Sequence, residues 1–425
     1  MTARHGSSGS PRARAATAAA IVVALAACLW LARADAPSQA ATPAGTSVIV
    51  LIGDGMGPAQ RAATQLARYG LEVTQPMDAL PVSGSIRTQS ANSAITDSAA
   101  GATAIATGTK TTNGYVGVGP DGGRLTTLLE IARDAGKSTG LVEDADVTNA
   151  TTGSFAAHVR NRDQRRTIAR QFLNDTKPDV ILGGGEEYWC KRGTPGAIPN
   201  DLPEDRCRSK TNLIAEAQSL GYQYASDAES VASATGPKLL GLVQRDPYVR
   251  ELLADYDRKD DPHYVPEEAL VAKAIEVLSQ DPDGFFLAID VDEIDVGGHA
   301  SHAGLVIKSA DLLNRIVSTI ESYRATDPNL LVVVTADHET GGMTIEGPKS
   351  NSTSVLGYPI PKRWRNGPFT IEGTDKRFTT DWTTPGHTGV PVPLTAAGPE
   401  SERLSGANDN TEVFDVARQV LTGSG

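Results

Sequence analysis

The stretch LVVVTADHETGG, residues 331–342, decides how the rest of the chain is read. Its β-branched, apolar start lacks the polar alternation of a half-exposed strand and fits a strand covered by helices on both faces, the mark of a parallel sheet. The run ends on Asp337 and His338, two side chains that ligate metals. Successive strand side chains point to opposite faces, so the pair can aim at one site only if the chain turns there. The following ETGG carries the glycines for that turn.

Similar runs recur along the chain: SVIVLIGDG at 47–55, STGLVE at 138–143, DVILGGG at 179–185 and FFLAID at 285–290. Helical patterns at 125–135, 163–173, 267–278, 305–324 and 412–421 alternate with them. Strands alternating with helices imply βαβ units and an α/β fold, a three-layer αβα sandwich around a central, mostly parallel sheet. The late run VPVPLTAAG at 390–398 contains prolines and is expected at an edge or end of the sheet. Stretches 186–265 and 347–384 are rich in Pro, Gly, Asp and Ser and read as loop-rich insertions over the ligand edge of one domain spanning 47–425.

In open α/β sheets, ligands bind beyond the carboxyl ends of the strands. Here those ends carry Asp54, Asp290 and Asp337. Three converging carboxylates repel one another unless a cation lies between them.

The first 40 residues stand apart. A basic start, RHGSSGSPRAR, precedes the apolar AATAAAIVVALAAC and the small-residue stretch ARADAPSQAA, the layout of an export signal. LAAC at 25–28 also resembles a lipobox, which would lipidate Cys28, although Leu29, Trp30 and Leu31 extend the apolar run past it. Losing four arginines and one aspartate with the signal takes the formal net charge from −12 to −15, which excludes a general nucleic-acid binder. The remaining cysteines, Cys190 and Cys207, flank a Pro/Gly-rich loop, and an even pair in an exported protein suggests a disulfide. Closing such a loop contributes roughly 3 kcal/mol on the chain-entropy estimate.

Six words carry the chemistry: GDGMG at 53–57, TDSAAGATA at 96–104, NATTGSFAAHVRNR at 149–162, DVDEIDVGGH at 290–299, ADHETGG at 336–342 and GHTGVPVP at 386–393. Their mixed Asp and His content suits zinc better than calcium or magnesium alone. Asp295 and His299, four apart, share a face on a helical turn. Ser98 opens an Ala-rich helical stretch, where it reads first as an N-cap; a metal beside it would make it a nucleophile near neutral pH.

These six words, in this order from about Ser47 to Leu421, resemble the alkaline phosphatase family. The resemblance implies that Ser98 takes the phosphoryl group as a phosphoserine. It further implies that Asp295, His299 and His387 hold one zinc, which activates the attacking water and holds the leaving-group side. Asp54, Asp337 and His338 would hold a second zinc, which would also coordinate the Ser98 oxygen. Asp54 with Thr151 and Asp290 would form a third site, normally magnesium. Arg162, chosen over Arg160 by its spacing from AHV, would grip two phosphate oxygens in a fork. The substrates implied are small-molecule phosphate monoesters. Export is implied too, with no membrane association unless Cys28 is lipidated, and a homodimer is possible for relatives of this kind.

The chain departs from the family pattern at three places. Asp290 stands where Glu is usual, one methylene shorter, so a weaker or differently occupied third site is expected, because magnesium demands near-ideal octahedral geometry. Glu293 has the wrong spacing to replace it. Asn149 and Val296 stand where charged or aromatic side chains are usual. His302 reads as a helix-surface histidine. The alternative function is a phosphodiesterase or another hydrolase of the same superfamily. Sulfatases are excluded, because TDSAAGATA lacks their C/S-x-P-x-R word.

Overall fold

A computed structural model describes residues 45–193, 207–244, 265–347 and 366–423, with the backbone of a short strand pair, Ser354–Val355 and Tyr358–Pro359. The stretch read as an export signal, with Cys28, lies outside the described residues.

Ten strands form one sheet: β1 (Ser47–Gly53), β2 (Val82–Arg87), β3 (Ser138–Asp146), β4 (Val180–Gly184), β5 (Gln223–Ala225), β6 (Leu239–Gln244), β7 (Phe285–Val291), β8 (Leu330–Thr335), β11 (Val392–Ala397) and β12 (Gly406–Asp409). Two further strands, β9 (Glu339–Thr340) and β10 (His387–Thr388), pair outside it. The sheet order is β12-β2-β11-β8-β1-β7-β3-β4-β6-β5. Every pairing except those of β11 is parallel. The central strands β1, β7 and β8 are buried along their whole length, as their unalternating Val, Ile and Leu content requires.

Seven of the helices fall into two sets that pack among themselves and cover the sheet as a three-layer sandwich. One set contains α1 (Ser98–Thr107), α2 (Leu128–Asp134), α3 (Ala150–Ala156) and α7 (Thr411–Thr422); the other contains α4 (Glu267–Leu278), α5 (Glu293–His299) and α6 (Ala303–Arg324). Helix α1 is buried at all ten positions, and its alanines let it lie close against α3 and α7.

Two expectations change. The Pro-containing β11 lies inside the sheet, between β8 and β2, as its one antiparallel member. Its pairing with β8 covers only Thr395–Ala397, so Pro393 breaks no ladder bond on that side, and its carbonyl accepts from Thr335 Oγ1 at 3.1 Å. The stretch 186–265, read as loop-rich, supplies β5 and β6, which extend the sheet. Cys190 and Cys207 form the expected disulfide, with Cα atoms 5.2 Å apart.

Register places the site. Ile52 is level with Asp290 on one side and Thr335 on the other, so β1, β7 and β8 deliver Asp54, Asp290 and Asp337 to one edge.

Candidate active site

The chain turns immediately after β8, as the adjacency of Asp337 and His338 requires. Asp337 Oδ1 accepts from the amides of Gly55 at 3.2 Å and His338 at 2.9 Å, which fixes the carboxylate while His338 swings to the same side. Strand β9 then pairs with β10, setting Thr340 opposite His387. Gly341 and Gly342 take φ of 97° and 56°, open to glycine, and a side chain on Gly341 would run into the Trp382 ring. Glu339 braces this turn. Its carboxylate accepts from Gln60 Nε2 at 2.6 Å, from the amides of Gly342 and Met343 at 3.1 and 3.2 Å, and from the Thr388 hydroxyl.

Two clusters of potential ligands result: Asp54, Asp337 and His338, and Asp295, His299 and His387. The first is sealed, its side chains 0–1% exposed, whereas His299 in the second is 38% exposed. Between them the His338 and His387 rings stack with centroids 3.6 Å apart.

Ring orientation shows what these clusters fit. His299 Nδ1 faces the Pro385 carbonyl at 2.5 Å, and His387 Nδ1 faces the Thr96 carbonyl at 3.0 Å. Each Nδ1–H therefore donates outward, and in the neutral ring the Nε2 lone pair points inward, as in metal-binding histidines. Those Nε2 atoms lie 3.1 Å apart, with Asp295 Oδ2 3.2 Å from His299 Nε2 and Oδ1 3.6 Å from His387 Nε2. His338 Nε2 lies 3.5 Å from Asp54 Oδ1 and 3.4 Å from Asp337 Oδ2. Both donor sets, imidazole nitrogen with carboxylate, suit a zinc-like ion.

The electrostatics agree. Burial, followed by repulsion from Asp337 and Asp295, pushes Asp54 well above the usual carboxylate range. Burial and Asp295 raise Asp337 to about 7. Burial pushes His338 well below its usual value, so its ring is neutral. Asp295 behaves oppositely. Burial opposes its charge, but the His299 hydrogen bond and the surrounding imidazoles hold it below the usual range, and the same bond raises His299 to about 9. A cation would compete for that proton.

The third group differs from the expected Asp54, Thr151 and Asp290. Thr151 Oγ1 donates to Asp54 Oδ2 at 3.1 Å, and Asp290 is present, fully buried. Asp292 joins them, and oxygens of Asp54, Asp290 and Asp292 lie within 4.8 Å of one another. Nothing had singled out Asp292. The available signal was its spacing of two from Asp290, which keeps both on one face of the chain leaving β7. Val296 is buried and supplies no charge.

Ser98 is not the N-cap. That role belongs to Asp97, whose Oδ1 accepts from the Ala100 amide at 3.0 Å. Ser98 is thereby left at the first helical position with its hydroxyl released from capping, and Oγ shares a hydrogen bond with His338 Nε2 at 3.2 Å. The other Asp97 oxygen accepts from Gly114 N at 3.0 Å and Arg162 Nη1 at 3.3 Å. Arg162 Nη2 reaches Asn149 Oδ1 at 3.4 Å, so its fork is held from two sides. Arg160 instead donates to the Asp121 carbonyl on the surface, which leaves Arg162 at the site. His302 caps α6, accepting from the Leu305 amide at 3.1 Å.

Comparison with known proteins agrees with this geometry. A sequence profile described as alkaline phosphatase matches residues 46–372. Alkaline phosphatase 3 of Bacillus subtilis is 30% identical over 86% of this chain and 87% of its own length. Streptomycin-6-phosphate phosphatase of Streptomyces griseus is 31% identical over 92% and 95%. Among solved structures, a mutant of the alkaline phosphatase from the Antarctic bacterium TAB5, with Mg bound in its M3 site, superposes with a TM-score of 0.69 at 27% identity, covering 89% of this chain and 99% of the other.

Proposed function

The chain belongs to the alkaline phosphatase family, an enzyme family that hydrolyses phosphate monoesters with the help of metal ions, and from that premise we propose that it acts through a phosphoserine on Ser98, with two zinc ions and one magnesium. The observation that carries this reading is the Ser98 hydroxyl, released from capping and 3.2 Å from His338 Nε2, at the sealed ligand cluster and beside the Arg162 fork.

Asp54, Asp337 and His338 would hold one zinc and Asp295, His299 and His387 the other, with Asp54, Thr151 and Asp290 at the magnesium. When bound, these ions supply positive charge to the attacking and leaving oxygens. The chain's own residues bind and aim the substrate. Asp97 and Asn149 hold the Arg162 guanidinium in one plane, ready to donate two hydrogen bonds to phosphate oxygens. The Ser98 oxygen forms a new P–O bond as the ester P–O bond breaks and the alcohol departs. Water then cleaves the Ser98–phosphorus bond, releasing phosphate and restoring the hydroxyl. Catalysis of this kind is positioning plus charge stabilisation. The Cys190–Cys207 disulfide supports an exported enzyme.

Ser98→Ala tests the reading. Brief exposure to a ³²P-labelled monoester should label the wild type on Ser98 and leave the variant unlabelled. The variant's kcat/KM should fall about 10³-fold or more with zinc content unchanged. Full activity in the variant, or faster turnover of a bis-nitrophenyl diester than of a nitrophenyl monoester by the wild type, would overturn it.

A further inference from the structure

The group around Asp290 has one more carboxylate than the family pattern predicts. Asp290 is 0% exposed, and neither of its oxygens has a hydrogen-bond partner. Asp292 is 3% exposed, and its Oδ2 has none. Asp54 Oδ1 is in the same position. A buried carboxylate oxygen left without a donor costs free energy that a folded protein ordinarily recovers through a partner. One oxygen from each of these three side chains lies within 4.8 Å of the other two, close enough to share an ion, and the unpartnered oxygens they carry point to a cation as that partner.

Asp292 is aimed rather than merely nearby. Its backbone amide donates to Asp144 Oδ1 at 2.8 Å, and its Oδ1 accepts from Asn149 Nδ2 at 3.2 Å. The remaining oxygen, Oδ2, is buried without a partner, and Asp292 has an oxygen within 4.8 Å of oxygens of Asp54 and Asp290. Asn149 can do this because it is an amide. Its nitrogen donates to Asp292, while its oxygen accepts from Arg162 and, at 3.2 Å, from Arg165. An aspartate there would present only acceptors to Asp292 and repel it.

We propose that Asp292 is a direct ligand of the third cation, forming with Asp54 and Asp290 an all-oxygen cradle that offsets the short reach of Asp290. Three carboxylates and the Thr151 hydroxyl are hard donors, which select magnesium or manganese over zinc. The Asn149 amide holds Asp292 in the coordinating position and, through its other end, joins this cation to the arginine that grips the phosphate.

The inference rests on the metal-dependent reading above, and its test separates the two. Zinc-loaded wild type and Asp292→Asn, which keeps the side-chain shape and an acceptor for Asn149, are titrated with Mg²⁺ by calorimetry, with zinc measured per chain. Asp292→Asn should retain two zinc ions and bind Mg²⁺ at least tenfold more weakly, while Asp292→Glu should recover part of the loss. An outer position could also lower affinity, so Mn²⁺ is then placed in the third site and its water ligands counted by line broadening in H₂¹⁷O. A direct ligand requires one more water on Mn²⁺ in Asp292→Asn than in the wild type. Equal water counts, or equal Mg²⁺ affinities, would overturn the proposal. Zinc missing from the wild type would instead refute the two-zinc reading, and the magnesium comparison would still be decided by its own isotherms.

Discussion

Glu130 and Asp290 are both buried carboxylates, 5% and 0% exposed, and the chain treats them in opposite ways. Around Glu130 it supplies every partner. Arg124 Nη2 donates at 2.5 Å, the Thr127 amide at 3.1 Å in a capping box, and His158 Nε2 lies 3.4 Å away. Burial opposes the charge of Glu130, but these partners prevail and hold its carboxyl down at about 2. Around Asp290 the chain supplies no hydrogen bond, and burial followed by the charge of Asp54 pushes its carboxyl well above the usual range. A self-sufficient acid serves the fold, and an acid left to an outside partner serves a site.

The largest effect that could break this contrast is metal removal. Ions that bind only the folded chain stabilise it by mass action, so chelation should lower the melting temperature by about 10 °C or more. Its pH dependence should also invert. In the chelated protein Asp292 and Asp337 sit near 7, raised by burial first and by the Asp295 charge second. Raised carboxyls contribute stability that is present below about pH 4 and lost as pH rises through 7. The gap between loaded and chelated protein should therefore widen from pH 5 to 8, and calorimetric scans with and without chelator would show it. A constant gap would mean that these acids find partners within the chain.

A smaller effect sharpens the other side. Glu130 has a lowered pKa, so its contribution is present above about pH 4.5 and lost as pH falls towards 2. Glu130→Gln should cost up to about 3 kcal/mol at pH 7, and the difference should shrink towards zero in acid. Urea unfolding across that range measures it. The smallest effect is the control, because Arg418 and Asp415 form an ion pair at 3.9 Å with both side chains nearly half exposed. Arg418→Ala should change stability by less than about 0.5 kcal/mol, within what surface pairs contribute.

The central strands and the ligand words were legible in the sequence because each rests on local chemistry. Unbroken Val and Ile runs report burial on both faces, and strand-end Asp with nearby His reports a cluster of potential ligands. What was not legible depends on contacts across the chain. Asp97 takes the cap that Ser98 was read as taking, and only the fold shows which of two adjacent side chains turns inward. Glu339 looks like part of a turn until Gln60 and Thr388 are seen to donate to it. β2, with the sequence VSGSIR, has too few apolar residues to announce a strand and is held by β11 and β12 on either side. Direction was equally hidden, because prolines argue for an edge only when both sides of a strand must donate, and β11 at Pro393 need not.

The ladder between β9 and β10 has one more consequence. It clamps His387 opposite Thr340, two residues from His338, so the gap between the two ligand clusters is gauged by a pair of dipeptides rather than by the chain that joins them. The residues that flank this ladder are tied to the same gap, since the Pro385 carbonyl orients His299 and the Met343 amide donates to Glu339. A change in either dipeptide would therefore be felt at both ligand clusters at once, which makes this short ladder the part of the turn where a lineage has least room to vary.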